Sequence, residues 1–164
     1  MLRRLRQFRG LRDVRVFVHL ILVWSLIPIL LRFPLERVLR MLTPGRSPSG
    51  AVSMARVLLF ANFWFNRRFV ASGTMCLRRS LVLYTVLNRY SLPVMFYLGI
   101  KKPDTEALVG HSWLESADGC VGNGCDLSPF IVMFTHAPPY FQSNKMVSEY
   151  PDALRGAATK EMSS

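Results

Sequence analysis

At Pro93 the hydrophobic period of this chain changes, and few fold classes accommodate that change. Upstream, apolar residues come in long runs at helical spacing. Downstream, Val94, Phe96, Leu98 and Ile100 alternate with Met95, Tyr97 and Gly99, the period of a strand. Helices first and adjacent strands afterwards argue an α+β fold, with the helices packed on an antiparallel sheet. A length of 164 residues suits one such domain with a modest core.

The spacing predicts helical structure over residues 14–42, split near Pro28 or Pro34. Thr43 to Gly50 is rich in Pro, Gly and Ser and reads as a loop. It divides a basic, hydrophobic N-terminal region (1–50) from a core region (51–136), which a polar tail (137–164) follows; that tail is expected to be loosely held. A second helix is expected from about Ala51 to Phe69. Its centre, Val57 to Phe65, is apolar nearly all round and so should be buried. A third runs from about Met75 to Tyr90, with Ser72 or Thr74 as N-cap. Its apolar face holds Leu77, Leu81 and Tyr84; Arg78, Arg79 and Arg89 point elsewhere. Strands are expected over 93–100, 107–116, 120–122 and 130–135, with a hairpin turn at Asp118-Gly119. In the second of these, Val109, His111, Trp113 and Glu115 share one face.

The formal charge of +11 is uneven: residues 1–90 hold sixteen Arg against Asp13 and Glu36, whereas residues 91–164 hold five basic and eight acidic residues. The front half should attract an acidic partner or an anionic surface. It carries no zinc finger, RNA-binding aromatic signature or basic-zipper heptad, so nucleic acid is not the expected partner. Arginines interleaved with apolar runs also suit amphipathic helices that snorkel their tips. The sixteen residues from Val16 to Leu31 carry no formal charge and follow Arg3, Arg4, Arg6, Arg9, Arg12 and Arg15. A membrane span needs about twenty apolar residues, and no small-residue cleavage site follows, as a signal peptide would require. A buried or interfacial helix is expected. Peripheral contact with the inner membrane, Arg run near the head groups, remains open.

Cys76, Cys120 and Cys125 are the three cysteines. An odd, small count builds no disulfide framework, which points to a reducing, cytoplasmic compartment. A lone C-x4-C pair lacks the four ligands of a structural zinc site, so no metal is expected, and Cys120 and Cys125 read as small, partly buried residues.

Cys76 falls in the first turn of its helix, where the dipole and free N–H groups favour a thiolate and offer donors to an oxyanion. A small core residue fits the same position. His111, mid-strand beside Trp113, is placed to take the thiol proton and return it to a leaving amine; a histidine satisfied by backbone or water is the plainer alternative. A third group must orient the imidazole, and Asp118, Asn123 and Asp126 are available. Asp118 is explained by turn chemistry alone, which makes Asp126 the better carboxylate. The pairing requires sulfur and imidazole to come within reach of each other.

Residues Thr74 to Tyr84 resemble the C-L-x-R-S-L-x-L motif of the lasso-peptide leader peptidases, cysteine proteases of the transglutaminase-like superfamily. Leu92-Pro93-Val94 and Leu98 to Pro103 look like that family's next stretch, and Gly110 to Glu115 is similar to its H-[SA]-W-[LV]-E motif. The hydrophobic front part, with Pro34 and Leu35 ahead of Arg37 to Leu42, also looks like the family's N-terminal helices, so the resemblance covers about residues 15–126. It implies a papain-like thiol mechanism on a transglutaminase-type core, with Cys76 as nucleophile, His111 as base and no cofactor. An acidic third member is implied about a dozen or more positions after His111; twelve positions on lies Asn123, and a small insertion brings in Asp126. Trp113 is expected to pack beside the imidazole and Glu115 to be structural. The implied partners are a precursor peptide with its leader, a separate small leader-recognition protein and an asparagine-synthetase-like macrocyclase. Acyl transfer to an amine on a related core, and a non-catalytic membrane-surface protein, are the competing readings.

Overall fold

The computed structural model describes residues 10–45, 52–65, 75–101, 109–122, 127 and 129–141. Four helices precede four strands among them: α1 (Leu11–Leu30), α2 (Leu35–Leu42), α3 (Met54–Phe65), α4 (Met75–Arg89), β1 (Met95–Lys101), β2 (Val109–Ser116), β3 (Gly119–Cys120) and β4 (Ile131–His136). The strands form one antiparallel sheet in the order β3-β2-β1-β4. The expected α+β architecture is the one observed. Asn123, Cys125, Asp126, both N-cap residues Ser72 and Thr74, and the tail beyond Phe141 lie outside the described residues.

The helical segment over 14–42 divides at Pro34, not Pro28. α1 continues through Pro28 to Leu30, while Phe33 precedes a proline and is steered out of the α region, so Pro34 opens α2. Asp13 sits in the first turn of α1, where the dipole favours a carboxylate. It accepts from Arg56 on α3, through Nε at 2.9 Å and through a second guanidinium nitrogen. This two-pronged pair fixes how α1 and α3 cross.

α4 is the hub. Val16, Leu20, Val23 and Ile27 of α1, Leu39 of α2, and Val57, Phe60, Ala61 and Phe65 of α3 gather with Leu81, Val82, Leu83, Tyr84, Val86 and Leu87 of α4, Phe96 of β1 and Leu114 of β2 into one apolar cluster. Helices on either side of residues 43–50 therefore share a core. α3 departs from expectation on one side: Leu59 is 44% exposed. The end of α4 is set by two devices. Asn88 donates to Tyr84 O and Val94 O and accepts from Val94 N–H, clasping the turn into β1. Leu92 N–H reaches Leu87 O at 3.0 Å, with Ser91 left-handed at φ 62°, a helix stop that usually uses glycine.

Tyr84 ties three elements together. Its hydroxyl shares a 2.9 Å hydrogen bond with Thr43 Oγ1, which donates to Leu39 O at 2.6 Å and lies 3.3 Å from His136 Nε2. Burial pushes the Tyr84 phenol up to about 12, with the Thr43 bond pulling the other way. The folded state thus keeps neutral a group that ionises near 10.0 in the unfolded chain. Its contribution is whole below pH 10 and is lost as pH climbs from about 10 to 12, about 2–3 kcal/mol in all. Urea midpoints measured between pH 9 and 12 should show this fall, and Tyr84→Phe should flatten it. His19 and His136 carry the opposite sign. Burial lowers both, aided by Arg89 and Arg15 for the first and Arg40 for the second, so their contribution is present above 6.5 and is lost on acidification.

Candidate active site

Cys76 is the second residue of α4 as described, half-buried, and the free cysteine among the described residues. The helix is described over fifteen residues, Met75–Arg89. Cys120 is disulfide-bonded. It is partly buried, as expected, but the bond removes the cysteine-based footing for a reducing compartment. An odd cysteine count excludes a framework of many bridges, not one bond.

Hydrogen bonds fix α4 against β2. Leu114 O and Ser112 O are two residues apart, so both point to the outer edge of the strand. Val121 N–H takes the first at 2.9 Å and the Ser80 hydroxyl takes the second at 2.9 Å. Ser112 Oγ donates to Ser80 Oγ at 3.2 Å. Past the end of β3, the Ser80 hydroxyl stands in for a strand partner on that edge. Farther on, Asn88 meets Val94, which leads into Met95, the partner of Glu115. From Ser80 to Asn88 the helix rises about 12 Å, and from Ser112 to Glu115 the strand rises about 10 Å. The two elements therefore run side by side in the same direction. Cys76 lies one turn ahead of Ser80 on α4, and His111 one residue ahead of Ser112 on β2.

The imidazole itself faces away from the helix. Strand alternation sends Ser112 and Leu114 toward α4, and His111, Trp113 and Glu115 to the opposite face. There His111 lies nearly parallel to Trp113, with centroids 6.1 Å apart and planes at 15°, and 5.1 Å from Phe130. Trp113 stacks in turn on Tyr97 at 5.5 Å, and its indole N–H donates to Glu115 Oε1 at 3.0 Å. Packing of Trp113 beside the imidazole and a structural Glu115 are as expected. A formed thiol–imidazole pair is not: among the described residues no hydrogen bond joins Cys76 to His111. The physical reason is the pleat, which turns consecutive side chains to opposite faces and gives Ser112 the helix side.

Asp118 is not brought to His111. It sits in the exposed turn between β2 and β3, beyond Ser116 and more than about 17 Å along the strand from the imidazole. Its backbone N–H donates to Ser116 Oγ at 3.3 Å within that turn.

Gly99, opposite His111 in the ladder, makes the aromatic stack physically allowable. A Cβ there would sit 2.9 Å from two ring atoms of Trp113 and 2.9 Å from Ile131 O. Gly99→Ala should therefore push the indole off β1 and cost about 1–3 kcal/mol. Thermal melting checks the stability, and a shifted tryptophan emission checks the ring. Tyr97 and Gly99 were legible as an alternating face, and antiparallel pairing puts that face beside His111 and Trp113. Phe130 and the Ser80–Ser112 junction carried no sequence signal.

Among the described residues no group of three His, Cys, Asp or Glu side chains gathers as metal ligands would. Residues 23–135 match the profile of the family described as Transglutaminase-like superfamily. Searches of the curated proteins and of the solved structures find no match.

Proposed function

Because the chain belongs to the transglutaminase-like superfamily, we propose that it is a cysteine endopeptidase that removes the leader from a lasso-peptide precursor before the ring is closed. The observation that supports this reading is the Ser80–Ser112 junction, which ties α4 to β2 one turn after Cys76 and one residue after His111. The finer assignment to leader removal comes from the motif resemblance at Cys76 to Tyr84 and Gly110 to Glu115.

On this proposal His111 leaves its stack on Trp113 by rotation about Cα–Cβ and swings over the outer edge of β2, where α4 begins. Catalytic hydrogen bonds commonly tighten only when substrate is bound. The imidazole takes the Cys76 proton as sulfur attacks the scissile carbonyl carbon. N–H groups at the start of α4 hold the oxyanion. The imidazolium protonates the departing amine, leaving a thioester on Cys76. Water then gives a proton to the imidazole, attacks the thioester and releases the leader's carboxylate, and the proton returns to sulfur. Asp126 is proposed to orient the ring. Val121 stands level with Leu114, and the five residues from there span up to about 17 Å, more than the roughly 10 Å from Leu114 back to His111. Asn123, two residues on, reaches only about 7 Å.

The proposed partners are the precursor, a separate leader-recognition protein and an asparagine-synthetase-like cyclase. The test is incubation of the chain with a precursor and its recognition protein, read by mass spectrometry with and without an added amine. Free leader carboxylate supports hydrolysis. A leader joined to the amine shifts the reading to acyl transfer, and an intact precursor contradicts both.

A further inference from the structure

We infer that the outer face of α1 seats the protein on an anionic bilayer surface. α1 is apolar on two opposite sides. Val16, Leu20, Val23 and Ile27 are buried in the core, while Leu11, Val14, Val18, Leu22, Leu26 and Ile29 are exposed, from 45% at Val14 to 90% at Leu11. At 3.6 residues per turn the two sets centre on opposite sides of the helix. A helix on the surface of a soluble domain normally turns charge to solvent. Here, from Val18 to Ile29, a strip about 17 Å long does not, and contiguous apolar strips mark contact sites.

Charge identifies the occupant. Arg12 and Arg15 are exposed at the start of the strip, and Arg32, Arg37 and Arg40 are exposed just past its end. The two acids nearby are engaged: Asp13 is buried against Arg56, and Glu36 pairs with Arg40. An apolar strip bounded by arginines matches acyl chains beneath anionic head groups. It disfavours a second copy, because a two-fold pairing of this face would bring arginine-flanked strips together. The helix is long and apolar enough to cross a bilayer by length and composition. Crossing, however, would strip Val16, Leu20, Val23 and Ile27 from the core they share with α4, so the helix lies in the plane of the surface. This inference stands independently of the thiol chemistry.

The experiment is co-sedimentation of the full chain with vesicles of phosphatidylglycerol and phosphatidylcholine, against phosphatidylcholine alone. Binding to the anionic vesicles is expected, weakened by 1 M salt and reversed by an alkaline carbonate wash. Leu22→Glu with Leu26→Glu should lower the partition coefficient by roughly a hundredfold or more while leaving circular dichroism and melting unchanged. Arg12→Gln with Arg32→Gln keeps the apolar strip and should lower it by roughly thirtyfold on anionic vesicles only. Absence of binding, equal binding to neutral vesicles, indifference to both variants or resistance to the wash would overturn the inference. So would self-association in light scattering that the leucine variant abolishes.

Discussion

The Cys76→Ala variant is expected to cleave precursor at no more than about 10⁻⁴ of the wild-type rate. On the proposed mechanism the loss is this large because sulfur is the atom that attacks: without it the imidazole has nothing to deprotonate, and the third group nothing to orient. The N–H groups at the start of α4 remain and can still polarise a carbonyl, which sets a small residual rate. Folding should survive, since Cys76 is only half-buried and donates no described hydrogen bond. Mass spectrometry of the precursor reads the rate, and an unchanged melting curve shows that the loss is chemical. A variant that stays within tenfold of wild type would assign the residue to packing.

Phe60→Ala is expected to give the largest loss of stability, about 3–5 kcal/mol. Phe60 is 1% exposed on α3. Its ring lies 6.1 Å from Phe17 on α1, and the Arg56 guanidinium rests 5.8 Å above it. Removal would open a cavity between two helices that Asp13 and Arg56 hold at a fixed crossing, so little collapse can fill it. For a chain of this size the melting temperature should fall by roughly 10 °C or more. Leu59→Ala next to it is the control: that side chain is 44% exposed, and its change should stay within about 0.5 kcal/mol.

The fold was legible wherever one physical signal dominated. The change of period at Pro93 separated helices from sheet, and alternation put Tyr97 and Gly99 on one face and Phe96 and Leu98 on the other, as β1 does. The hairpin was readable one residue out: the turn is Ala117-Asp118, and Gly119, which opens β3 opposite Ser116, takes φ 106°, a conformation its neighbours would resist. Pro28 misled as an alternative break, because packing of Val23 and Ile27 in the core carries α1 through it. The outer faces of α1 and α3 were not legible, since an apolar residue reads alike whether a neighbour covers it or not. For the candidate site, sequence put Cys76 on a helix and His111 on a strand, as α4 and β2 do. It did not foretell that Ser112, not His111, meets α4, nor that Ser80 takes the edge where β3 ends. Those contacts join residues 32 apart through a hydroxyl and a carbonyl, and neither residue type announces such a partner.

The central claim is that Cys76 and His111 act as one unit, and a double-variant cycle tests it most directly. Precursor cleavage would be timed for wild type, Cys76→Ala, His111→Ala and the two combined. If sulfur and imidazole share one proton transfer, the combined variant is no slower than the slower single one. Losses that multiply, or a His111→Ala variant that cleaves at the wild-type rate, would mean that the ring stays on its own face of the sheet and that the two residues are not partners.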